Sequence, residues 1–170
     1  MKVILYMAIS ANGYIAKEDD DTSWISTVEW NSYAAIIKKA GCLVVGHRTY
    51  DILTKQPEFE ELGKIKIIIV STNDFKTLNQ NHHIAKNCNE AIGLLTDFEE
   101  IIVAGGGILN SSFMKAGLVD EIYLDIEPIV FGKGIQLFEN ADFEVKLELI
   151  ESNKLSNNEI QLHYKVINTQ

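Results

Sequence analysis

The sequence predicts an α/β protein of three layers, α/β/α, with a mostly parallel central sheet and a C-terminal antiparallel strand pair. Stretches of helical period separate short apolar runs, and this alternation is typical of right-handed crossovers between parallel strands. The apolar runs are rich in β-branched residues, as strands buried on both faces are. They lie at Val3–Ile9, Cys42–Val45, Ile65–Val70, Ile101–Ala104 and Ile122–Ile126.

Three helices are predicted between these strands. The first carries apolar residues over Trp30–Ile37, continues through two lysines and meets a C-terminal cap at Gly41. The other two are shorter and lie at Asn89–Leu95 and Ile108–Ala116.

The C-terminal region has a different pattern. Val145–Glu151 and Ile160–Ile167 alternate apolar and polar residues, and Ser152–Asn158 joins them. This predicts an antiparallel pair at the edge of the sheet. Because the chain holds no repeat and no linker rich in Pro, Gly or Ser, we expect residues 1–170 to form one domain.

Composition excludes several classes of function. A formal net charge of -9 disfavours nucleic acid and anionic membranes as partners, since both require a dense positive surface. No apolar run approaches the ~18 residues of a membrane span. The apolar run Val3–Ile9 is at the short end of the range for a signal peptide, so a cytoplasmic location is expected over secretion. Cys42 and Cys88, the latter expected in a polar loop, have no metal-binding spacing, and a reduced state is favoured. We expect solvated loops at Glu18–Asp21 and at His82-His83.

Two strand ends carry residues suited to phosphate. Ile101–Ala104 leads through Gly105, Gly106 and Gly107 into the helix that opens with Ile108 and Leu109, which leaves backbone N–H groups open to an anion. Val45 leads into Gly46-His47-Arg48-Thr49, where the only arginine of the chain stands between two further hydrogen-bond donors.

A third strand end adds two hydroxyls at Ser71 and Thr72. Since ligands of open α/β sheets bind at the carboxyl ends of strands, the three ends together indicate a dinucleotide or a similar polyanion. Each segment alone is also compatible with ordinary turn chemistry.

A candidate acid lies near the first strand. Met7-Ala8 and Asn12–Ala16 are followed by Trp24 and then by Glu29, at the start of a predicted helix. A carboxyl group beside aromatic rings can have a raised pKa and donate a proton. The alternative is a glutamate that only complements the helix dipole.

Together these segments resemble the dihydrofolate reductase superfamily. The resemblance rests on Gly13-Tyr14-Ile15-Ala16, on Gly46-His47-Arg48-Thr49-Tyr50 and on Ala104-Gly105-Gly106-Gly107, in that order along the chain. Val119–Leu124 and Glu127–Phe138 are similar to the reductase domain of the riboflavin-pathway deaminase-reductase and to its stand-alone bacterial relatives. This branch implies a homodimer that uses NADPH to reduce a ribosylamino-pyrimidine phosphate, as 5-amino-6-(5-phosphoribosylamino)uracil reductase does.

The resemblance also implies roles for individual residues. The nicotinamide would be flanked by Ala8, Ile15 and Ala16. The 2′-phosphate would be surrounded by His47, Arg48, Thr49, Ser71 and Thr72. The pyrophosphate would be held by Gly105, Gly106 and Gly107, and Ile108 and Leu109 would open the helix against it. Gly46 and Ala104 would also belong to the cofactor site. Glu29 and Asp125 would be the catalytic carboxyl groups, and Trp24 would join them in contacting substrate.

Other functions remain open at this stage. A folate reductase is one alternative, although Ser23 precedes Trp24 and Lys64 stands where an arginine would bind the folate tail. A second alternative is a protein that binds a nucleotide without turnover. Two carboxyl groups beside the nicotinamide would indicate an enzyme instead, because a binding protein does not need them there. A third is an interaction scaffold that uses an edge strand at Ile160–Ile167.

Overall fold

The computed structural model describes residues 1–139 and 141–167. Within this part of the chain the elements are, in order, β1 (Lys2–Ser10), β2 (Tyr14–Ala16), α1 (Thr27–Ala40), β3 (Cys42–Gly46), α2 (His47–Leu53), a 3-10 helix (Pro57–Leu62), β4 (Lys66–Val70), β5 (His82–Ala85), α3 (Cys88–Gly93), β6 (Glu100–Val103), α4 (Gly107–Lys115), β7 (Glu121–Glu127), β8 (Ile135–Gln136), β9 (Lys146–Lys154) and β10 (Ile160–Ile167). None of these helices is long and apolar enough to cross a membrane.

Eight strands form one sheet in the order β5-β4-β3-β6-β1-β7-β10-β9. The pairs from β5 to β7 are parallel, whereas β10 runs antiparallel to both β7 and β9. The small β2–β8 pair forms a second, antiparallel sheet. The predicted fold class, a mostly parallel sheet followed by an antiparallel strand pair, is confirmed.

Helices cover both faces of the sheet. Leu5 and Val44 face one core, which also contains Phe113 of α4, while their strand neighbours Ile4 and Leu43 face the other, which contains Ile37 of α1. Successive residues of a strand point to opposite faces, so one apolar run supplies both cores. The three predicted layers result from this alternation.

The caps of α1 follow from its flanking residues. The Ser26 hydroxyl accepts a hydrogen bond from the backbone N–H of Glu29, and the backbone N–H of Gly41 donates to Ile37. Gly41 has a φ of 76°, which a residue with a side chain rarely adopts. The predicted cap at Gly41 is confirmed.

Two expectations about the edges of the sheet are wrong. Ile160–Ile167 is not the edge strand, because β10 pairs on one side with β7 and on the other with β9. The edge is β9, and it starts and ends later than the predicted Val145–Glu151. All nine residues of β9 are exposed. Both edges of Ile160–Ile167 are therefore already paired, so this strand cannot serve as the free edge that an interaction scaffold would need.

The expectations for His82 and Cys88 are also wrong. His82 starts β5, is 6% exposed, and its Nδ1 lies 2.8 Å from the Tyr50 hydroxyl. Burial lowers the pKa of His82, and the neighbouring His83 adds to this. Cys88 is the first residue of α3, not part of a loop, and is buried; like Cys42, it is a free thiol. The short strand β5 forms by pairing with β4 and has no alternation of apolar and polar residues that would predict it.

Candidate functional site

A cavity of about 610 Å³ opens at the carboxyl ends of β1, β3, β4 and β6, where the sequence predicts phosphate-binding segments. The starts of α1, α2 and α4 and the strand β2 complete its wall. Fourteen of the predicted site residues line it: Ala8, Ile15, Ala16, Glu29, Gly46, His47, Arg48, Thr49, Ala104, Gly105, Gly106, Gly107, Ile108 and Leu109. Residues far apart in the chain thus meet at one site.

Four predicted site residues are absent from the lining contributed by residues 1–139 and 141–167: Trp24, Ser71, Thr72 and Asp125. The Trp24 ring packs edge-on against Phe131, with centroids 5.6 Å apart. Ser71 uses its hydroxyl in a turn with Asn73, and Thr72 is exposed. The roles implied for these residues stay predictions, now without a direct contact to the cavity.

The glycine turn and the arginine turn lie side by side. The backbone N–H of Gly46 donates to Gly105 at 2.8 Å, and a Cβ added at Gly106 would lie 3.3 Å from the Thr49 hydroxyl oxygen. Gly106 is the N-cap of α4 and supplies no side-chain hydrogen bond to the helix. The first-turn N–H groups of α4 thus have no side-chain cap and face the cavity beside Thr49, an arrangement that suits a phosphate.

Gly107 has a different reason to be glycine. A Cβ at this position would lie 2.5 Å from the backbone oxygen of Gln136 in β8. The close approach of β8 therefore excludes any side chain there, whatever the cavity binds. The sequence alone gave no sign of this, because β8 is only two residues long.

Arg48 is held by an acid that the sequence did not indicate. Its Nε and Nη2 both lie 2.6 Å from Oδ2 of Asp20, in the loop between β2 and α1. Asp20 has a φ of 67°, and its other carboxylate oxygen is buried with no hydrogen-bond donor among the described residues. Glu18–Asp21 is a loop, as predicted, yet two of its carboxylates are engaged, since Asp21 pairs with Lys17.

His47 is also fixed in place at this end of the cavity. Its ring stacks on Phe75, with centroids 3.8 Å apart and an interplanar angle of 5°. Its Nε2 lies 3.7 Å from Asp51, one turn along α2. An anion bound near Thr49 would meet an imidazole of restricted orientation and a guanidinium already paired to a carboxylate.

Glu29 is a buried acid that faces the cavity. It is the third residue of α1, and only 4% of it is exposed. Burial raises the pKa of Glu29 well above its usual value, and the charges of Asp125, Glu127 and Glu159 raise it further. The carboxyl group consequently keeps its proton to a higher pH than an ordinary glutamate and can donate it.

Asp125 lies behind the cavity wall, in contact with Tyr6. The Tyr6 hydroxyl donates to Asp125, and Gln161 donates to the other carboxylate oxygen at 2.8 Å. Ser32 completes the group, 2.8 Å from the Tyr6 oxygen. Burial raises the pKa of Asp125, although these hydrogen bonds oppose the shift. Asp125 does not line the cavity, but Tyr6, to which it is hydrogen-bonded, does. The charge of Asp125 also raises the pKa of Glu29.

We expect Glu29→Gln to stabilise the protein increasingly as pH rises. A carboxyl group whose pKa is raised by folding stabilises the fold at low pH, and this stabilisation is lost as pH rises through the folded pKa. Glutamine keeps the shape without the charge. Thermal unfolding measured from acid to alkaline pH checks this, since ~1 kcal/mol shifts Tm by ~2–4 °C in a protein of this size. Exposed Glu60→Gln is the control, and an equal pH trend in both variants would contradict the assignment.

Comparisons with known proteins agree with this architecture. The family model of the RibD C-terminal domain matches residues 1–161. YwjB, an uncharacterized protein of Bacillus subtilis strain 168, is 31% identical over 173 residues, which cover 96% of this chain and 97% of YwjB.

Solved structures share the fold at lower identity. A pyrimidine reductase-like protein of Corynebacterium diphtheriae superposes with a TM-score of 0.76 at 16% identity, covering 99% of this chain and 92% of that protein. RibD of Acinetobacter baumannii gives 0.76 at 17% identity, over 98% of this chain and 58% of RibD. The strand order, the glycine turn and the match along nearly the whole sequence lead to one conclusion: the chain belongs to the RibD C-terminal domain family.

Proposed function

We propose that the protein is an NADPH-dependent reductase that transfers hydride to a ribosylamino-pyrimidine, in the manner of the riboflavin-pathway reductases. One observation carries the proposal: a single cavity joins two turns suited to phosphate, at Gly46–Thr49 and Gly105–Gly107, to a buried acid, Glu29. A module that only binds nucleotides has no need of a protonated carboxyl group in the same cavity.

The chain offers a place for each part of the cofactor. The uncapped start of α4 and the turn at Gly105 and Gly106 suit the pyrophosphate. Arg48 and Thr49 suit the 2′-phosphate once Asp20 is displaced. The buried small and aliphatic residues Ala8, Ile15 and Ala16 leave an apolar surface for the nicotinamide. NADPH, when bound, supplies the hydride.

Glu29 supplies the proton in this proposal. Hydride addition to a C=N bond leaves negative charge on nitrogen, so a proton must reach that atom in a pocket that largely excludes water. Glu29 is buried, protonated beyond its usual pH range and open to the cavity. Burial and the negative charges of Asp125 and Glu127 raise the pKa of Glu29, which holds the proton on Glu29 until the substrate takes it.

A substrate panel tests the proposal. Purified protein and NADPH are mixed with a ribosylaminopyrimidine, its phosphate ester or a dihydropterin, and the loss of nicotinamide absorbance is followed. We expect turnover with the pyrimidine compounds. Turnover with the dihydropterin alone would replace the proposal with folate-type reduction, and NADPH binding without any turnover would favour a binding protein.

Gly106→Val should abolish tight NADPH binding while the fold survives. The added side chain enters the gap toward Thr49, where the pyrophosphate would lie, and the φ of -80° at this position is acceptable for valine. Gly107→Val is the contrast, because its Cβ meets backbone and should lower Tm as well. Titration and melting of both variants check this; a Gly106→Val protein with unchanged NADPH affinity would remove this turn from the site.

A further inference from the structure

Among the residues that the structure describes, those at the end of the cavity between α1 and α2 include aromatic rings and acids but no cation. We call this the α1–α2 end; it is lined by Glu29, Trp30, Tyr33, Ile52, Leu53, Gln56 and Glu58. No lysine lines the cavity within residues 1–139 and 141–167, and its single arginine, Arg48, stands at the opposite end of α2. The described part of the wall carries four carboxyl groups, at Asp20, Glu29, Glu58 and Glu139.

We infer that the substrate bound at the α1–α2 end is an uncharged aromatic heterocycle without a phosphate group. The inference rests on the proposed function, in which the cofactor phosphates occupy Arg48 and the start of α4. It departs from the phosphate ester that the family resemblance implies. The evidence for this inference is the charge and the shape of the α1–α2 end.

A phosphate ester would find no counter-charge at this end. It carries about -1.5 to -2 at neutral pH, and proteins hold such groups with guanidinium or ammonium groups or with open helix N-termini. The N-terminus of α1 already has a side-chain cap, since the Ser26 hydroxyl accepts from the N–H of Glu29 at 3.1 Å. Glu127 in turn accepts from the N–H of Ser26 at 2.8 Å. A hydroxyl and a carboxylate therefore already occupy two of the N–H donors that a phosphate could use there.

The acids also repel a phosphate directly. Glu58 is an exposed residue of the 3-10 helix and lines the mouth of this end. Glu61, on the same helix, accepts a hydrogen bond from the Trp30 ring nitrogen at 3.3 Å. A dianion that entered past these two carboxylates would lose hydration without gaining a partner.

A planar uncharged ring fits the same surface. The ring centroids of Trp30 and Tyr33 are 5.5 Å apart, and those of Tyr33 and Tyr6 are 5.7 Å apart, which makes a continuous aromatic wall. Ile52 and Leu53 supply aliphatic contacts from α2. The protonated carboxyl group of Glu29 can both donate to and accept from a ring amide or ring nitrogen.

A matched pair of ligands tests the inference. The ribosylaminopyrimidine and its 5′-phosphate are each titrated calorimetrically into protein saturated with NADPH, and hydroxymethylpterin with its phosphate ester serves as a second pair. We expect the unphosphorylated member to bind about tenfold or more tightly than its ester. Glu58→Lys should narrow this preference by about tenfold, whereas Glu60→Lys, the same charge change on the same helix outside the cavity lining, should not.

The outcomes separate this inference from the proposed function. If NADPH binds and a phosphate ester is preferred, or both members of each pair bind equally, the inference is overturned and the reductase proposal stands. Binding of no member of either pair overturns it too. If NADPH itself fails to bind, the proposed function fails. The ligand pairs are then titrated into the Arg48→Ala variant, which has no arginine that could hold the phosphate ester. The relative affinities within each pair still decide the inference.

Discussion

Glu29→Gln will lower turnover by ~10²–10⁴-fold while NADPH affinity changes little. Glu29 is the one buried carboxyl group that the described part of the cavity wall contributes at the α1–α2 end. Glutamine preserves its size but cannot release a proton. Steady-state rates with the best substrate of the panel, together with an NADPH titration, measure both effects.

Asp125→Asn serves as the companion variant, since Asp125 does not line the cavity. Its charge raises the pKa of Glu29, so its removal should lower that pKa. The fall in rate toward alkaline pH would then begin at a lower pH, with a smaller loss of maximal rate than in Glu29→Gln. A Glu29→Gln enzyme within about threefold of wild-type turnover would show that the carboxyl group only starts the helix and that the proton comes from elsewhere.

Arg48→Ala will weaken NADPH binding by roughly ten- to a hundredfold and leave NADH binding almost unchanged. A hydrogen bond between a charged donor and phosphate contributes ~1.5–3 kcal/mol, which is the source of this range. Asp20→Asn should act in the opposite direction and tighten NADPH binding, because the carboxylate now paired to Arg48 must give way to the 2′-phosphate. Fluorescence titrations of both variants with both cofactors test the pair.

Two results would contradict this role for Arg48. Equal losses of NADPH and NADH affinity in Arg48→Ala would mean that the guanidinium holds the loop at Asp20 and does not read the 2′-phosphate. Unchanged or weaker NADPH binding in Asp20→Asn would mean that the ion pair does not compete with the cofactor.

Strand runs and turn glycines made the sheet predictable from sequence. Cys42–Val45 and Ile101–Ala104 are short, β-branched and buried on both faces, and each leads into a glycine that the fold places at the cavity. These patterns alone pointed to the glycine turn and the arginine turn, whereas the family resemblance added residues such as Ala8, Ile15 and Ala16; fourteen of the residues predicted in these two ways line one cavity.

The remaining features depend on contacts that no local pattern encodes. The short strands β5 and β8 form by pairing with β4 and β2, and neither has a sequence pattern of its own. For this reason the sequence does not predict that His82 lies in a strand, or that β8 packs against Gly107. Asp20 stands in an acidic run typical of solvated loops, and only the path of that loop brings it to Arg48. Tyr6 looked like one more apolar strand residue until the fold placed Asp125 against its hydroxyl.

Titration of the wild-type protein with NADPH and with NADH tests the central claim, that this cavity is a site for a phosphorylated nicotinamide dinucleotide. Trp30 lines the cavity, so its fluorescence can report binding. We expect saturable binding of both nucleotides, with NADPH bound about tenfold or more tightly than NADH. If neither NADPH nor NADH changes the fluorescence or the Tm at millimolar concentration, the cavity is not a nicotinamide dinucleotide site.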